Sequence, residues 1–389
     1  MEFGVTAYAA CNGLGRTTEE VLEGLRQGRR GLRPCPLDVP FDVPCGVVPG
    51  ELPDLPSTLE PFASRQLRIA WLGITDLLPS LERAVAQHGP SRVGLVLGTS
   101  TGGLAEGEAA YFHWREHGEP KPGYAFATQH VFHAFTEAMR RLTGLEGPSY
   151  CLSTACSSSA KVFASARRLL RSRRCDAVVV GGVDSLCLTT VRGFHSLGVA
   201  APQGSRPFSA ERTGMNVGEG AAYVLLERDR PECVQLLGIG ESSDAFHMSA
   251  PHPEGRGAEQ AIRAALDDAG LGPEAIDYVN AHGTGTLRND SAEALALVSV
   301  FGTEVPVVST KSYTGHMLGA SGATEAIFAI SAIERGFIPA NLGLDPVDPA
   351  IPLRLPTAMI EAPVRHVLST SFAFGGSNIA LVFGAGAAR

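Results

Sequence analysis

Three positions in this 389-residue chain set a reactive side chain in a serine- or glycine-rich break. Cys156 lies in "STACSSS", where a short strand-like stretch at 150–152 gives way to a segment carrying Val162, Phe163, Ala166, Leu169 and Leu170 at helical spacing. A thiol at the N-terminus of that helix meets unpaired backbone N–H groups and the positive end of the helix dipole. Both favour thiolate, so the sequence predicts a lowered pKa and a nucleophile at neutral pH. The N–H of Cys156 itself would face any carbonyl the sulfur attacks. Burial is the ordinary fate of a free cysteine, and this placement alone leaves that reading open. His282 follows in "YVNAHGTGT" and His316 in "STKSYTGHMLGASGA", each after a strand-like segment and among glycines that allow sharp turns and close backbone approach. Either histidine alone suits a structural role. A cysteine and two histidines at three strand ends form a constellation, because strand ends in open α/β sheets converge on one crevice.

The elements that must position these residues follow a repeating pattern. Apolar runs at 93–97, 177–180, 234–239, 276–281 and 305–309 read as strands, and 257–269 and 291–301 carry apolar residues three and four apart, as amphipathic helices do. Alternating strands and helices predict an α/β architecture around a largely buried sheet. The rhythm occurs twice, with a divide near 227–231 where charge and proline interrupt "LERDRPECVQLLG". With no low-complexity linker between them, the halves are expected to pack as one body.

Composition narrows the function classes. A hydrophobic content of 44% with 19% charged residues is that of an ordinary globular protein. The N-terminal "MEFGVTAYAACNGLG" lacks a signal-peptide pattern and no apolar stretch reaches spanning length, so a cytoplasmic enzyme without a membrane partner is expected. Eight cysteines without a CxxC pair suit neither a disulfide framework nor a zinc site. A formal charge of −8 argues against nucleic acid as a partner. Local basic clusters stand against that sum: Arg167, Arg168, Arg171, Arg173 and Arg174, and separately Arg65, Arg68, Arg115 and Lys121. These read either as solvated faces or as docking sites for an acidic protein.

Taken in order, "STACSSS", "HGTGT", "KSYTGHMLGASG" and "SFAFGGSN" resemble the motifs of the β-ketoacyl synthases, the decarboxylating condensing enzymes with a Cys-His-His site. The resemblance runs nearly end to end, through "RPFSAERTGMNVGEGAAYVLLE" and "SSDAFHMSAPHPEG". It implies the thiolase fold, with two pseudo-symmetric halves in an αβαβα layering: residues 1–230 with the nucleophile and 231–389 with both histidines. It also implies that Cys156 accepts an acyl chain from the pantetheine thiol of an acyl carrier protein, that His282 and His316 stabilise the enolate from a malonyl unit, and that the N–H groups of Cys156 and Phe374 form an oxyanion hole. Lys311 and Glu325 match supporting charged positions, with a surface ion pair as the other reading. Thr284, Thr286 and Ser249 match hydroxyls along the pantetheine arm, and Phe374, with Phe372, Gly375 and Gly376 around it, matches a gating loop. Thr101 in "GTSTGG" falls at a position bordering the acyl tunnel, and Arg65 and Arg68 match a basic position near the tunnel mouth, suited to carrier docking.

No metal or redox cofactor is implied, since the phosphopantetheine belongs to the carrier. The family forms dimers, and the partner is either a second copy or a related chain-length subunit. The "CSSSA" run resembles polyketide and polyene synthases, which points to an unsaturated, polyketide-like or aryl polyene product rather than a housekeeping fatty acid. A degradative thiolase would need a second cysteine near the C-terminus, and none follows Cys233. A non-catalytic chain-length subunit would usually lack the nucleophile. A cysteine hydrolase would leave the second glycine-framed histidine unexplained.

Overall fold

The computed structural model describes residues 2–387. Ten strands form its main sheet: β1 (Phe3–Asn12), β2 (Val93–Gly98), β3 (Ser149–Leu152), β4 (Ala177–Asp184), β5 (Gly220–Arg228), β6 (Val234–Ser243), β7 (Tyr278–Asn280), β8 (Val307–Val308), β9 (His366–Ala373) and β10 (Ser377–Gly384). Seven helices matter most for the site and its layers: α1 (Arg65–Ile74), α2 (Leu104–His117), α3 (Phe132–Thr143), α4 (Ser158–Arg171), α5 (Arg256–Ala269), α6 (Leu287–Phe301) and α7 (Ser321–Arg335). None of the helices among the described residues is long and apolar enough to cross a membrane.

Sheet order exposes the internal repeat. The strands run β8-β7-β9-β10-β6-β1-β5-β4-β2-β3, so each half has the same order outward from the centre, and β1 corresponds to β6, β2 to β7, and so on. Pairing directions agree as well. β2 is parallel to β3 and β4, as β7 is to β8 and β9, while the pairs β4/β5 and β5/β1 are antiparallel like β9/β10 and β10/β6. Where the halves meet, β1 pairs β6 antiparallel at Gly4 with Gln235 and Val5 with Val234.

The layering follows from the pleat. Successive side chains of a strand point to opposite faces, so a strand apolar at every position must be covered on both. β4, "AVVVGGVD", is buried throughout. Its Val178 and Val180 join Val224 and Leu226 of β5 in one core with Phe163 of α4 and Phe328 of α7, whereas Val179 and Val183 join Tyr223 and Leu225 in another with Leu67 of α1 and Met139 of α3. The C-terminal half repeats this, with Leu368 and Val382 packed against Ile262 of α5 and Leu297 of α6. Five layers result, with α4 and α7 in the middle. That position explains α7, buried on every side from Ser321 to Ala332, a pattern that only a helix enclosed by protein or lipid can carry.

Candidate active site

The turn that carries Cys156 is built by residues far apart in sequence. Between β3 and α4 the chain reverses sharply, and Ala155 is forced to a φ of 51°, in the left-handed region. Its carbonyl accepts from the Ser100 hydroxyl at 2.8 Å, the Ser158 hydroxyl at 2.6 Å and the Ser158 N–H at 3.1 Å, which holds the strained turn in place. The loop that supplies Ser100 hangs from buried Asp184 at the end of β4. That carboxylate accepts from the Thr99 hydroxyl, from the N–H groups of Ser100 and Thr101, and from the Thr101 hydroxyl at 2.7 Å. Each serine of "CSSS" has a fixed partner. Ser157 donates to the Thr154 carbonyl at 2.9 Å, Ser158 bonds as above, and Ser159 accepts from the N–H of Ala323 on α7 at 2.9 Å.

Cys156 is buried, one residue before the cap of α4, and burial pushes its thiol up to about 12. The expected lowering is therefore overturned. Desolvation outweighs the Lys311 charge and the backbone N–H groups of Phe374 and Cys156, which donate toward the sulfur and favour the anion. The thiol is neutral at rest.

His282 leaves β7 in a turn fastened by its backbone. Its N–H donates to Glu293 Oε1 at 2.7 Å and to Thr370 Oγ1 at 2.9 Å, and the Gly283 N–H donates to Glu293 Oε2 at 2.7 Å. Burial raises the Glu293 carboxyl to about 7, against the pull of these donors. His316 is clamped from the other half of the molecule. Its N–H donates to the Asn216 carbonyl at 2.6 Å, and its carbonyl accepts from the Gly218 N–H at 2.9 Å. The two imidazoles meet edge to face, centroids 5.4 Å apart at 85°. Burial first, then the Lys311 charge, holds both well below the usual histidine range, so both are neutral. His316 Nδ1 lies 3.0 Å from the Ser321 hydroxyl, and His282 Nδ1 has no partner among the described residues.

These three side chains share a cavity of about 390 Å³ with Ser249, Thr284, Thr286, Phe372 and Phe374. The family "Beta-ketoacyl synthase, N-terminal domain" matches residues 59–231, and "Beta-ketoacyl synthase, C-terminal domain" matches residues 234–345. The chain belongs to the β-ketoacyl synthase family. Nodulation protein E of Rhizobium meliloti (strain 1021) is 33% identical, covering 97% of this chain and 98% of that protein. The 3-oxoacyl-[acyl-carrier-protein] synthase 2 of Synechocystis sp. is 30% identical, covering 97% of each. Among solved structures, a ketosynthase in complex with its chain length factor from Xenorhabdus doucetiae matches with a TM-score of 0.93 and 36% identity, over 99% of this chain and 98% of that one. The thiolase fold expected from the motifs is the fold observed.

Other positions singled out by resemblance to the synthases fall in several places. Lys311 and Glu325 form an ion pair beneath the histidines, with side chains only 1% and 4% exposed, so the surface-pair reading is wrong. Phe374 sits at the tip of a tight hairpin between β9 and β10, lines the cavity, and meets Phe194 edge to face at 6.0 Å. Gly375 and Gly376 supply the positive φ values, 84° and 74°, that this turn needs; a side chain on Gly376 would also collide with Asp244. Thr101 does not line the cavity. Its hydroxyl and N–H are tied to Asp184, which makes it a brace of the turn that carries Cys156.

Arg65 is corrected too. Its guanidinium forms two hydrogen bonds with Glu219, whose side chain is wholly buried, so Arg65 holds the molecule together rather than standing free for a carrier. Arg68 is one-third exposed and pairs with fully exposed Asp54 at 3.0 Å. In the other basic cluster, Arg167 pairs with Asp268 and Arg168 reaches Glu241. Sequence reading missed Asp184, Glu293, Thr370 and Ser321, all polar and buried. Of these only Glu293 and Ser321 had a signal, an acidic residue on an otherwise apolar helical face and a serine inside the His316 motif.

Proposed function

We propose that this chain is a β-ketoacyl-[acyl carrier protein] synthase that works by decarboxylative Claisen condensation. The observation that carries the reading is Cys156 in one cavity with two neutral, buried histidines set edge to face. Because the thiol is neutral at rest, proton loss accompanies its attack rather than preceding it. The sulfur bonds to the carbonyl of an acyl thioester, the bond from that carbonyl to the pantetheine sulfur breaks, and the departing thiolate takes the proton. The N–H groups of Cys156 and Phe374 receive the tetrahedral oxyanion. A malonyl thioester then loses CO2, and the electron pair of the broken C–C bond becomes an enolate whose oxygen is stabilised by His282 and His316. The enolate carbon attacks the acyl carbonyl, the bond to Cys156 breaks, and the released thiolate is protonated from solvent.

His316 Nδ1 lies 3.0 Å from the Ser321 hydroxyl, and in the tautomer where that hydroxyl donates, the ring's own proton is on Nε2, the working side. Lys311 and Glu325 act through charge: the Lys311 charge adds to burial in keeping both histidines neutral, and it favours the Cys156 anion. Thr284, Thr286 and Ser249 contact the arm, and Phe374 with Phe372, Gly375 and Gly376 closes the acyl side. No cofactor of the protein's own takes part, because the phosphopantetheine arrives on the carrier.

The partners proposed are an acyl carrier protein and a second chain of the same fold, either a copy or a chain-length subunit. Exposed aromatic residues on α2 and the segment after it support a protein partner: Tyr111 and Trp114 are each 53% exposed and Phe126 is 59% exposed. A polyene or polyketide-like product, including an aryl polyene, is the proposed pathway class. All eight cysteines are free, which fits a reducing cytoplasm. The test is intact-protein mass spectrometry after incubation with saturated, polyunsaturated and aryl-primed acyl carriers. Mass gain on the wild type and none on Cys156→Ala is expected; equal gain on both would refute the assignment.

A further inference from the structure

The turn after β7 and the first residues of α6 run along the cavity wall. In "HGTGTLR", His282 at 3% and Thr284 at 6% exposure lie deep, Leu287 is 62% exposed, and Arg288 beside it is exposed at the rim. Arg288 is the only lysine or arginine among the lining residues. Among the described residues it makes neither an ion pair nor a side-chain hydrogen bond, unlike Arg65, Arg212 or Arg263. The nearby carboxylates are committed elsewhere. Asp244, also on the cavity wall, accepts from Asn378 Nδ2 at 2.7 Å and from the His252 N–H at 3.0 Å, and Asp290 accepts from the N–H groups of Phe208 and Gly285.

An unpaired guanidinium at the mouth of a site whose nucleophile is at the bottom calls for an anion at one fixed distance from the reacting atom. A pantetheine arm has that form: with its sulfur at Cys156, its phosphate lies at the rim. Arg288 follows His282 by six residues, so it lies within about 20 Å of that histidine, within the span of an extended arm whose sulfur is at Cys156. The planar fork of arginine matches two phosphate oxygens at once.

We propose that Arg288 is the phosphate subsite of the carrier arm, reading the phosphodiester that joins pantetheine to the carrier protein. This rests on the carrier-arm reading above. The test compares Cys156 acylation by an acyl-pantetheine and by the same acyl group on 4′-phosphopantetheine, in the wild type, Arg288→Lys and Arg288→Gln. The wild type should prefer the phosphorylated donor in kcat/KM by about tenfold, or about 1.4 kcal/mol. Arg288→Gln should bring the two rates to parity, Arg288→Lys should keep part of the preference, and added salt should erode it in the wild type. A preference that survives in Arg288→Gln, or an equal loss on both donors, overturns the subsite while leaving the condensing reaction in place. Failure of the wild type to acylate from either donor or from the acyl carrier overturns the condensing reading, and the subsite with it.

Discussion

Replacing Lys311 by methionine removes one half of a buried ion pair and leaves the other. Lys311 and Glu325 are 1% and 4% exposed, and Glu325 Oε2 already lacks a partner, so the carboxylate depends on the ammonium group. A buried charge left without its counter-ion costs about 3–5 kcal/mol, while replacing both members by apolar groups is often neutral. Lys311→Met is therefore expected to lose about that much unfolding free energy in urea at pH 8, and Lys311→Met with Glu325→Met to recover most of it. The pH dependence has a definite sign. Burial already raises the Glu325 carboxyl, and losing Lys311 raises it further. A carboxyl raised in the folded state contributes stability below its unfolded value that is lost as pH rises through its folded value. The single variant's deficit should accordingly be smaller near pH 5 than at pH 8. A second readout is chemical: without the Lys311 charge, Cys156 should alkylate more slowly at any given pH. A single variant costing less than about 1 kcal/mol, or a double variant no better than the single, would refute the account.

Alkylation of wild-type Cys156 should rise about tenfold per pH unit from pH 7 to 10 with no plateau, because burial holds the thiol at about 12; a plateau near neutrality would show a resting thiolate. Ser321→Ala should lower the rate of malonyl decarboxylation about tenfold while leaving KM for the malonyl donor near the wild-type value, which steady-state kinetics would resolve. Glu293→Gln turns one acceptor of the His282 and Gly283 N–H groups into a donor, for an expected cost of about 1–3 kcal/mol. Because the folded Glu293 carboxyl sits at about 7, the wild type should lose stability as pH climbs toward and through 7, and melting curves of the variant should lack that component. Arg65→Gln should lower the melting temperature by exposing Glu219 to an unpaired fate, whereas Arg68→Glu should leave it nearly unchanged and raise KM for carrier-linked donors only.

Local pattern was enough to find much of this protein. Continuous apolar runs such as "AVVVGGVD" announce strands covered on both faces, and a run that starts after serines and keeps one apolar side announces α4. The same kind of signal marked Cys156, His282 and His316, because reactive side chains in glycine- or serine-rich breaks after strands have few structural uses. The twofold rhythm of elements was legible too, and the sheet order repeats it strand for strand.

Charge and proton affinity were settled elsewhere. A helix N-terminus argues for a thiolate, yet enclosure of Cys156 by both halves desolvates the sulfur and wins. The sequence could not name the partners that folding gives Arg65 and Thr101, the buried Glu219 carboxylate and Asp184. His316 is held by the backbone of residues 216 and 218, and Ala155 by a hydroxyl from the loop after β2. The sequence by itself determined which residues can react and which segments carry them, since backbone preference and hydrophobic period are local properties. Tertiary structure alone decided which of those groups are buried, paired or strained, because desolvation and ion pairing depend on neighbours brought together only when the two halves close around α4 and α7.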